Sequence, residues 1–252
     1  MAPGGPSSTT GGFGPHATNH SMPWSLSNLA HASLFPGAVL GLFAAARLFD
    51  VPNGYDWVLA GAIAVQGLLL ATRLESAREA AWIALFHAMG VSLEIWKVNH
   101  GGWAYPEPAF TKLMGVPLVT GFMYASIGSF VLSLSRHVRV DLPAGSLLFA
   151  GLCYLNFWTN VWILDLKIPL VLVGLVLFRR VRVGRVPLLL LFPVLGGAIW
   201  MAENWGTLFG AWEYPRQTEG WTWVPPDKLL SWTVLGAVAT ILVVSRPQKT
   251  AP

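Results

Sequence analysis

The sequence predicts an all-α, polytopic transmembrane bundle, from three observations. Of its 252 residues, 54% are apolar and only 11% carry a charge. A soluble domain carries about 25% charged residues, so this chain lacks the charge to coat a water-facing surface. Thirteen Trp, 26 Gly and 18 Pro match membrane helices, where Trp anchors interfaces and Gly and Pro are tolerated. The third observation is a series of apolar runs separated by short polar loops.

Residues 1–24 are rich in Gly, Pro, Ser and Thr. They bury too little apolar surface to order themselves, so a disordered tail is expected. They lack the basic and apolar regions of a signal peptide. The transmembrane domain is expected over 25–246, with a short C-terminal tail over 247–252. Eight apolar segments fill it: 30–49, 56–72, 79–98, 114–134, 145–164, 166–179, 187–208 and 229–245. A spanning helix needs about 20 residues, with a range near 17–25. Six or seven segments meet this. Segment 166–179 is short, and snorkelling Arg179, Arg180 and Arg182 would extend it.

Loops 73–79, 135–141 and 179–186 and the C-terminal tail hold ten Lys and Arg, and the opposite side holds six. The positive-inside rule therefore predicts a multi-pass protein of the bacterial cytoplasmic membrane with both termini in the cytoplasm. The basic residues form no stripe, so nucleic acid is not an expected partner. The expected partner is the lipid bilayer. A single Cys, Cys153, excludes an internal disulfide framework, and in an apolar run it reads as an inert buried thiol.

An internal repeat is visible at an offset of 109. Residues 94–106 read EIWKVNHGGWAYP and residues 203–215 read ENWGTLFGAWEYP. Glu94 matches Glu203, Trp103 matches Trp212, and Tyr105 matches Tyr214. Asp56 also matches Asp165. Four helices separate the copies, so both point the same way. The expected arrangement is a parallel 4+4 repeat, with halves at about 30–134 and 145–245 and a pseudo-twofold axis along the membrane normal.

The chemistry-bearing residues follow from this repeat. Glu94 and Glu203 sit one turn inside the ends of their helices. A carboxylate at that depth faces a cavity or a partner. It either acts as acid, base or cation ligand, or holds the next loop by hydrogen bonds. Asp56 and Asp165 begin helices, where an acid complements the dipole. On the same membrane side as the glutamates, they would also complete a four-carboxylate proton or cation site. Trp103, Tyr105, Trp212 and Tyr214 read as an aromatic belt or as the wall of an apolar ligand site. His87, Gly90 and Glu94 share a helix face, and Gly196 stands in the second copy where His87 stands in the first. His87 is a candidate assistant to the acid or a helix-packing residue. Asn156 and Asn160 form a polar stripe with Cys153 and would bond neighbouring helices or touch a ligand. Lys97 and His100 lie near the outer surface, within reach of an anionic head group. No P-loop, zincin or nucleophile-elbow motif is present. No metal site and no cofactor are legible, and neither is an oligomeric state.

The stretches FHAMGVSLEIWKVNHGGWAYPEPAFTKLMGVPLVTGFMYASIGSF (86–130), YLNFWTN (154–160) and WMAENWGTLFGAWEYPRQTEGW (200–221) resemble the bacterial YoaT-like integral membrane proteins, domain of unknown function 817. The resemblance covers most of the chain after residue 30 and implies a multi-span inner-membrane protein. A weaker similarity is to membrane carotenoid enzymes of the lycopene cyclase and hydratase types. These also place an acid in one helix, then a G-x-W-x-Y-like turn, then a Gly-x-Pro segment. Here the pattern runs through Glu94, Gly101, Trp103, Tyr105, Gly115 and Pro117. Leu118 and Val119 follow Pro117 where the cyclases carry carboxylates, so the resemblance extends to architecture and an isoprenoid-like ligand.

Three functional classes follow. The first is a membrane enzyme on an isoprenoid or lipid-like substrate, with Glu94 and Glu203 as acid and base assisted by His87, Tyr105 and Tyr214. Trp103, Trp212, Asp56, Asp165, Asn156 and Asn160 would contact the substrate. The second is a proton-coupled transporter of a small solute. The third is a structural membrane protein.

Overall fold

A computed structural model describes residues 26–136, 140–160, 165–183 and 186–246. The expected disordered tail at 1–24 and the tail at 247–252 lie outside the described residues, as do Arg139, Arg185 and Lys249. The described residues hold nine helices and two small hairpins. In chain order they are α1 (Leu26–Ala32), α2 (Leu34–Leu48), α3 (Gly54–Ala71), α4 (Ala77–Asn99), β1 (Lys112–Leu113), β2 (Val116–Pro117), α5 (Val119–Ser135), α6 (Ser146–Thr159), α7 (Lys167–Phe178), β3 (Arg182–Val183), β4 (Val186–Pro187), α8 (Leu188–Leu208) and α9 (Lys228–Val244).

The first apolar segment is a bent pair, with α1 and α2 meeting at 50°. Pro36 explains the break. It cannot donate to the carbonyl four residues back, and its ring crowds that carbonyl. The segment expected at 114–134 begins late, because 112–117 forms a hairpin instead. Lys112 pairs with Pro117 and Leu113 with Val116. Between them Met114 and Gly115 both have positive φ, the geometry of a tight two-residue turn.

Fewer helices than the eight apolar segments pass a test of length and composition. By length and composition, α3 and α8 are long and apolar enough to cross a membrane, and the bent pair α1–α2 makes a third. Helix α4 has 23 residues, but Arg78, Glu79, Glu94 and Lys97 dilute its hydropathy. Helices α5 and α9 have 17 residues each, α6 has 14 and α7 has 12. At 1.5 Å per residue α7 reaches only about 18 Å.

Helices α5 and α9 lie at the centre and are buried on nearly every side. Helix α4 packs along α5 and α8 along α9, while α2 and α6 close the flanks. Small residues permit the close approach. A Cβ on Gly128 would stand 2.7 Å from the Phe86 ring, and one on Gly196 would stand 2.6 Å from the Thr233 backbone. The start of α4 is fixed by a capping box. Ser76 Oγ accepts from Glu79 N, and Glu79 Oε2 accepts from Ser76 N. Glu79 also pairs with Arg136 at 2.8 Å, which ties α4 to the end of α5.

Candidate functional site

Helix α4 delivers Glu94 and helix α8 delivers Glu203, each with the following turn folded back over it. Gly101 (φ +73°) and Gly210 (φ +64°) reverse the chain in the left-handed region, which costs glycine little. The reversal brings Trp103 and Tyr105 onto Glu94. Trp103 Nε1 and Tyr105 OH each donate to Glu94 Oε2 at 2.7 Å. In the second turn, Trp212 Nε1 donates to Glu203 Oε2 at 3.3 Å and Tyr214 OH at 2.6 Å. Glu94 and Glu203 are 3% and 8% exposed, and all four aromatic partners are buried.

The two turns also grip each other. Ala104 N donates to Glu213 O, and Glu213 N donates to Ala104 O, both at 2.9 Å. The rings interleave across this bridge. Trp103 meets Tyr214 at 5.9 Å and Tyr105 meets Trp212 at 6.4 Å between centroids. Burial, together with the neighbouring glutamate, pushes the Tyr105 and Tyr214 phenols well above their ordinary value. They remain hydrogen-bond donors at any physiological pH.

Both carboxyl groups border one cavity of about 330 Å³ between α2, α5, α8 and α9. Its wall is mainly apolar, with Leu40, Phe43, Ile127, Phe130, Ile199 and Leu235 among its residues. Glu94, Glu203, Tyr124 and Trp212 are among its polar residues. Tyr124 OH donates to Glu94 Oε1 at 2.9 Å, so Glu94 accepts three donors. Glu203 Oε1 accepts none from the described residues. Trp232 also lines the cavity, and its buried Nε1–H has no partner among the described residues.

Tyr124 and Trp232 escaped the sequence reading. The available signal was Gly90, one turn before Glu94. A Cβ there would stand 2.4 Å from the Tyr124 ring, so Gly90 leaves the space through which the phenol reaches Glu94. Tyr55 was missed as well. Its OH donates to Ala211 O at 2.7 Å and its ring abuts Tyr105, which joins α3 to both turns.

Other expected members are placed elsewhere. His87 packs its ring edge-on against Phe122 at 4.8 Å, over Gly121, and is not part of the cavity wall. Asp56 accepts from the backbone N–H groups of Phe110 and Thr111 at 2.8 and 3.0 Å, which anchors the loop before β1. Asp165 is exposed and pairs with Lys167 at 2.8 Å. Burial opposes its ionisation, but the bonds to Lys167 outweigh this and hold the carboxyl below its usual value. Asn156 Oδ1 accepts from Leu166 N at 2.8 Å, and Asn160 Oδ1 accepts from Lys97 Nζ. Asn156 thus ties α6 to the start of α7, and Asn160 ties the end of α6 to α4. The four carboxylates do not gather. Among the described residues no three His, Cys, Asp or Glu stand together as a metal-binding group would. The physical reason is that each Asp is already engaged, Asp56 by the loop before β1 and Asp165 by Lys167.

The fold and site define a helical membrane protein with a buried, aromatic-capped pair of glutamates. Its fold is similar to that of two solved structures. One is a mycobacterial Insig homolog from Mycobacterium vanbaalenii, with a TM-score of 0.53 and 14% identity over 69% of this chain and 98% of that one. The other is a cross-linked trimer of the same mycobacterial protein, with a TM-score of 0.52 and 15% identity over the same shares. The chain belongs to the family described as Protein of unknown function (DUF817), whose pattern matches residues 24–240. It is 36% identical over 234 residues to the uncharacterized protein YoaT of Bacillus subtilis (strain 168), covering 87% of this chain and 89% of that protein.

Proposed function

We propose that the protein binds an apolar, isoprenoid- or lipid-like molecule in the cavity and that Glu94 and Glu203 carry out acid/base chemistry on it. One observation carries the reading: two buried carboxyl groups border the same mainly apolar cavity. An apolar chain would fill the wall between α2 and α5. Its reactive end would meet the glutamates, of which Glu203 has an oxygen without a donor among the described residues. The proposed roles of Tyr105, Tyr214, Trp103 and Trp212 are to orient the carboxyls and exclude water. A preorganised donor–acceptor set in a dry site favours proton transfer.

The parallel 4+4 arrangement belongs to the same reading. Its support is that α5 and α9 begin and end 109 residues apart, and that both turns make the same Trp and Tyr bonds to their glutamates. In this arrangement the short α7 crosses as the counterpart of α3, both termini are cytoplasmic, and the glutamates lie near the extracytoplasmic face.

The test is mass spectrometry of total lipid and pigment extracts from a deletion strain, rescued by wild type, Glu94→Gln or Glu203→Gln. The reading expects a lipid species that appears on deletion, disappears with wild type and persists in both mutants. Identical extracts, with all proteins present in the membrane at equal levels, would sink the catalytic part.

A further inference from the structure

Outside the aromatic turns, at the end of the bundle that holds the glutamates, three lysines from three helices come together. Lys97 closes the last turn of α4. Lys167 and Lys228 are the first residues of α7 and α9. Each is half-buried. Lys97 lies within electrostatic reach of both others, and Lys228 within reach of Lys167. Lys97 Nζ donates to Asn160 Oδ1. Lys167 Nζ pairs with Asp165 and donates to Ser231 Oγ at 3.3 Å. Lys228 Nζ sits over the Tyr214 and Trp103 rings, 5.1 and 5.8 Å from their centroids.

The carboxylates facing this group are few. Asp165 is taken by Lys167. Asp227 is exposed and makes no ion pair with Lys228 within 4 Å among the described residues. Glu203, buried beneath the aromatic turn, and Asp227 lie within electrostatic reach of Lys228, and Asp165 lies within reach of Lys97. Neither Lys97 nor Lys228 makes an ion pair within 4 Å among the described residues. Lys167 and Lys228 also stand at helix starts, where the peptide dipoles already present positive charge and an anion is favoured. Like charges held together in a half-buried place repel unless an anion lies between them.

The positions 109 residues away sharpen the point. They hold Gly206 for Lys97, Val58 for Lys167 and Val119 for Lys228. Val58 and Val119 are fully buried. The matching positions on α3, α5 and α8 carry no charge, whereas those on α4, α7 and α9 carry three cations.

We propose that Lys97, Lys167 and Lys228 form a binding site for a phosphate-bearing anion, where the end of α4 meets the starts of α7 and α9. The site is separate from the cavity and does not depend on what the cavity holds. Two sources share this chemistry: the headgroup of an acidic phospholipid and free inorganic phosphate. Basic pockets between membrane helices bind acidic headgroups on this principle.

The test uses the full chain in detergent, by native mass spectrometry and thermal unfolding. The probes are dioleoyl phosphatidylglycerol, dioleoyl phosphatidylcholine and inorganic phosphate. Wild type is expected to retain phosphatidylglycerol over phosphatidylcholine and to unfold several degrees higher with it. The triple variant K97Q/K167Q/K228Q is expected to lose that retention at least tenfold, with unfolding in phosphatidylcholine unchanged or higher because repulsion is relieved. Arg73→Gln with Arg78→Gln, at the opposite end, is expected to keep it. Displacement by millimolar phosphate assigns the site to the phosphate group itself, and resistance to it assigns the site to the lipid-borne headgroup. Equal retention by wild type and the triple variant overturns the proposal, as does a wild type that prefers neither phosphatidylglycerol nor phosphate. Should the triple variant fail to fold, Lys228→Gln alone is expected to weaken retention threefold or more. An unchanged value there also overturns the site.

Discussion

Glu94 and Glu203 occupy matching places under matching turns, yet their surroundings differ. Glu94 is held by Trp103, Tyr105 and Tyr124, Glu203 by Trp212 and Tyr214 alone. The difference traces to one helix-packing exchange. Gly90 and Tyr124 fill the first corner, and Ile199 and Thr233 stand 109 residues further on. Ile199 fills the place of Gly90, and Thr233, in the place of Tyr124, donates to Leu229 O at 2.8 Å and not to the glutamate. The turn is therefore the preserved unit, and the helix behind it varies. That leaves Glu94 with three donors and Glu203 Oε1 with none among the described residues.

The comparison breaks most sharply at Gly206. A Cβ there would stand 2.0 Å from the Trp212 ring, whereas Lys97 occupies the matching place. Gly206→Ala should cost about 3 kcal/mol by overpacking, read by unfolding in detergent. A loss below about 0.5 kcal/mol would mean that Trp212 does not sit on α8. Tyr214→Phe comes next. It leaves Glu203 with one long bond from Trp212, and a stripped buried acceptor costs about 2 kcal/mol. Tyr124→Phe removes one of three donors from Glu94 and should cost about 1 kcal/mol. Reversal of that order would show that Glu94 is the less satisfied carboxyl.

Alkaline pH sharpens the aromatic part of the comparison. Phenols of the unfolded chain ionise near pH 10, and those of Tyr105 and Tyr214 ionise later in the folded one. Their contribution is thus complete below about pH 10 and declines as pH rises toward the folded values. Tyr105→Phe with Tyr214→Phe should flatten the stability loss above pH 10 relative to wild type. An unchanged slope would place both phenols in water. The smallest effect belongs to Arg47→Gln. Its pair with Glu107 spans 3.4 Å at an exposed site and is worth under about 0.5 kcal/mol.

Much of this site was legible because its parts lie close in sequence. A Glu, a Gly and a Trp–x–Tyr within twelve residues, repeated at one offset, state a turn folded over an acid. The helices were legible from apolar runs to within a few residues, except where Met114–Gly115 turns a hairpin and Pro36 breaks a helix. The failures share a cause. Tyr124 reaches Glu94 across 30 residues, and Trp232 meets the cavity from α9. Nothing local marks a side chain that arrives from another helix. His87 looked informative because it shares Glu94's helix face, but α5 occupies that side of the helix and takes His87 into the packing. The lysine group was half visible: Lys97 was noted, but its partnership with Lys167 and Lys228 exists only once α4, α7 and α9 are assembled.

The Ala104–Glu213 bridge carries a consequence for biosynthesis. Its two halves are 109 residues apart, so the ribosome reaches the second strand roughly 5–20 s after the first at ordinary elongation rates. Throughout that interval the turn above Glu94 has an unpaired edge, and Tyr105 lacks the Trp212 ring beside it. The first half enters the membrane before its turn is paired. A growing chain that stalls before residue 213 thus holds every donor to Glu94, in Trp103, Tyr105 and Tyr124, but leaves the backbone of Ala104 without its partner.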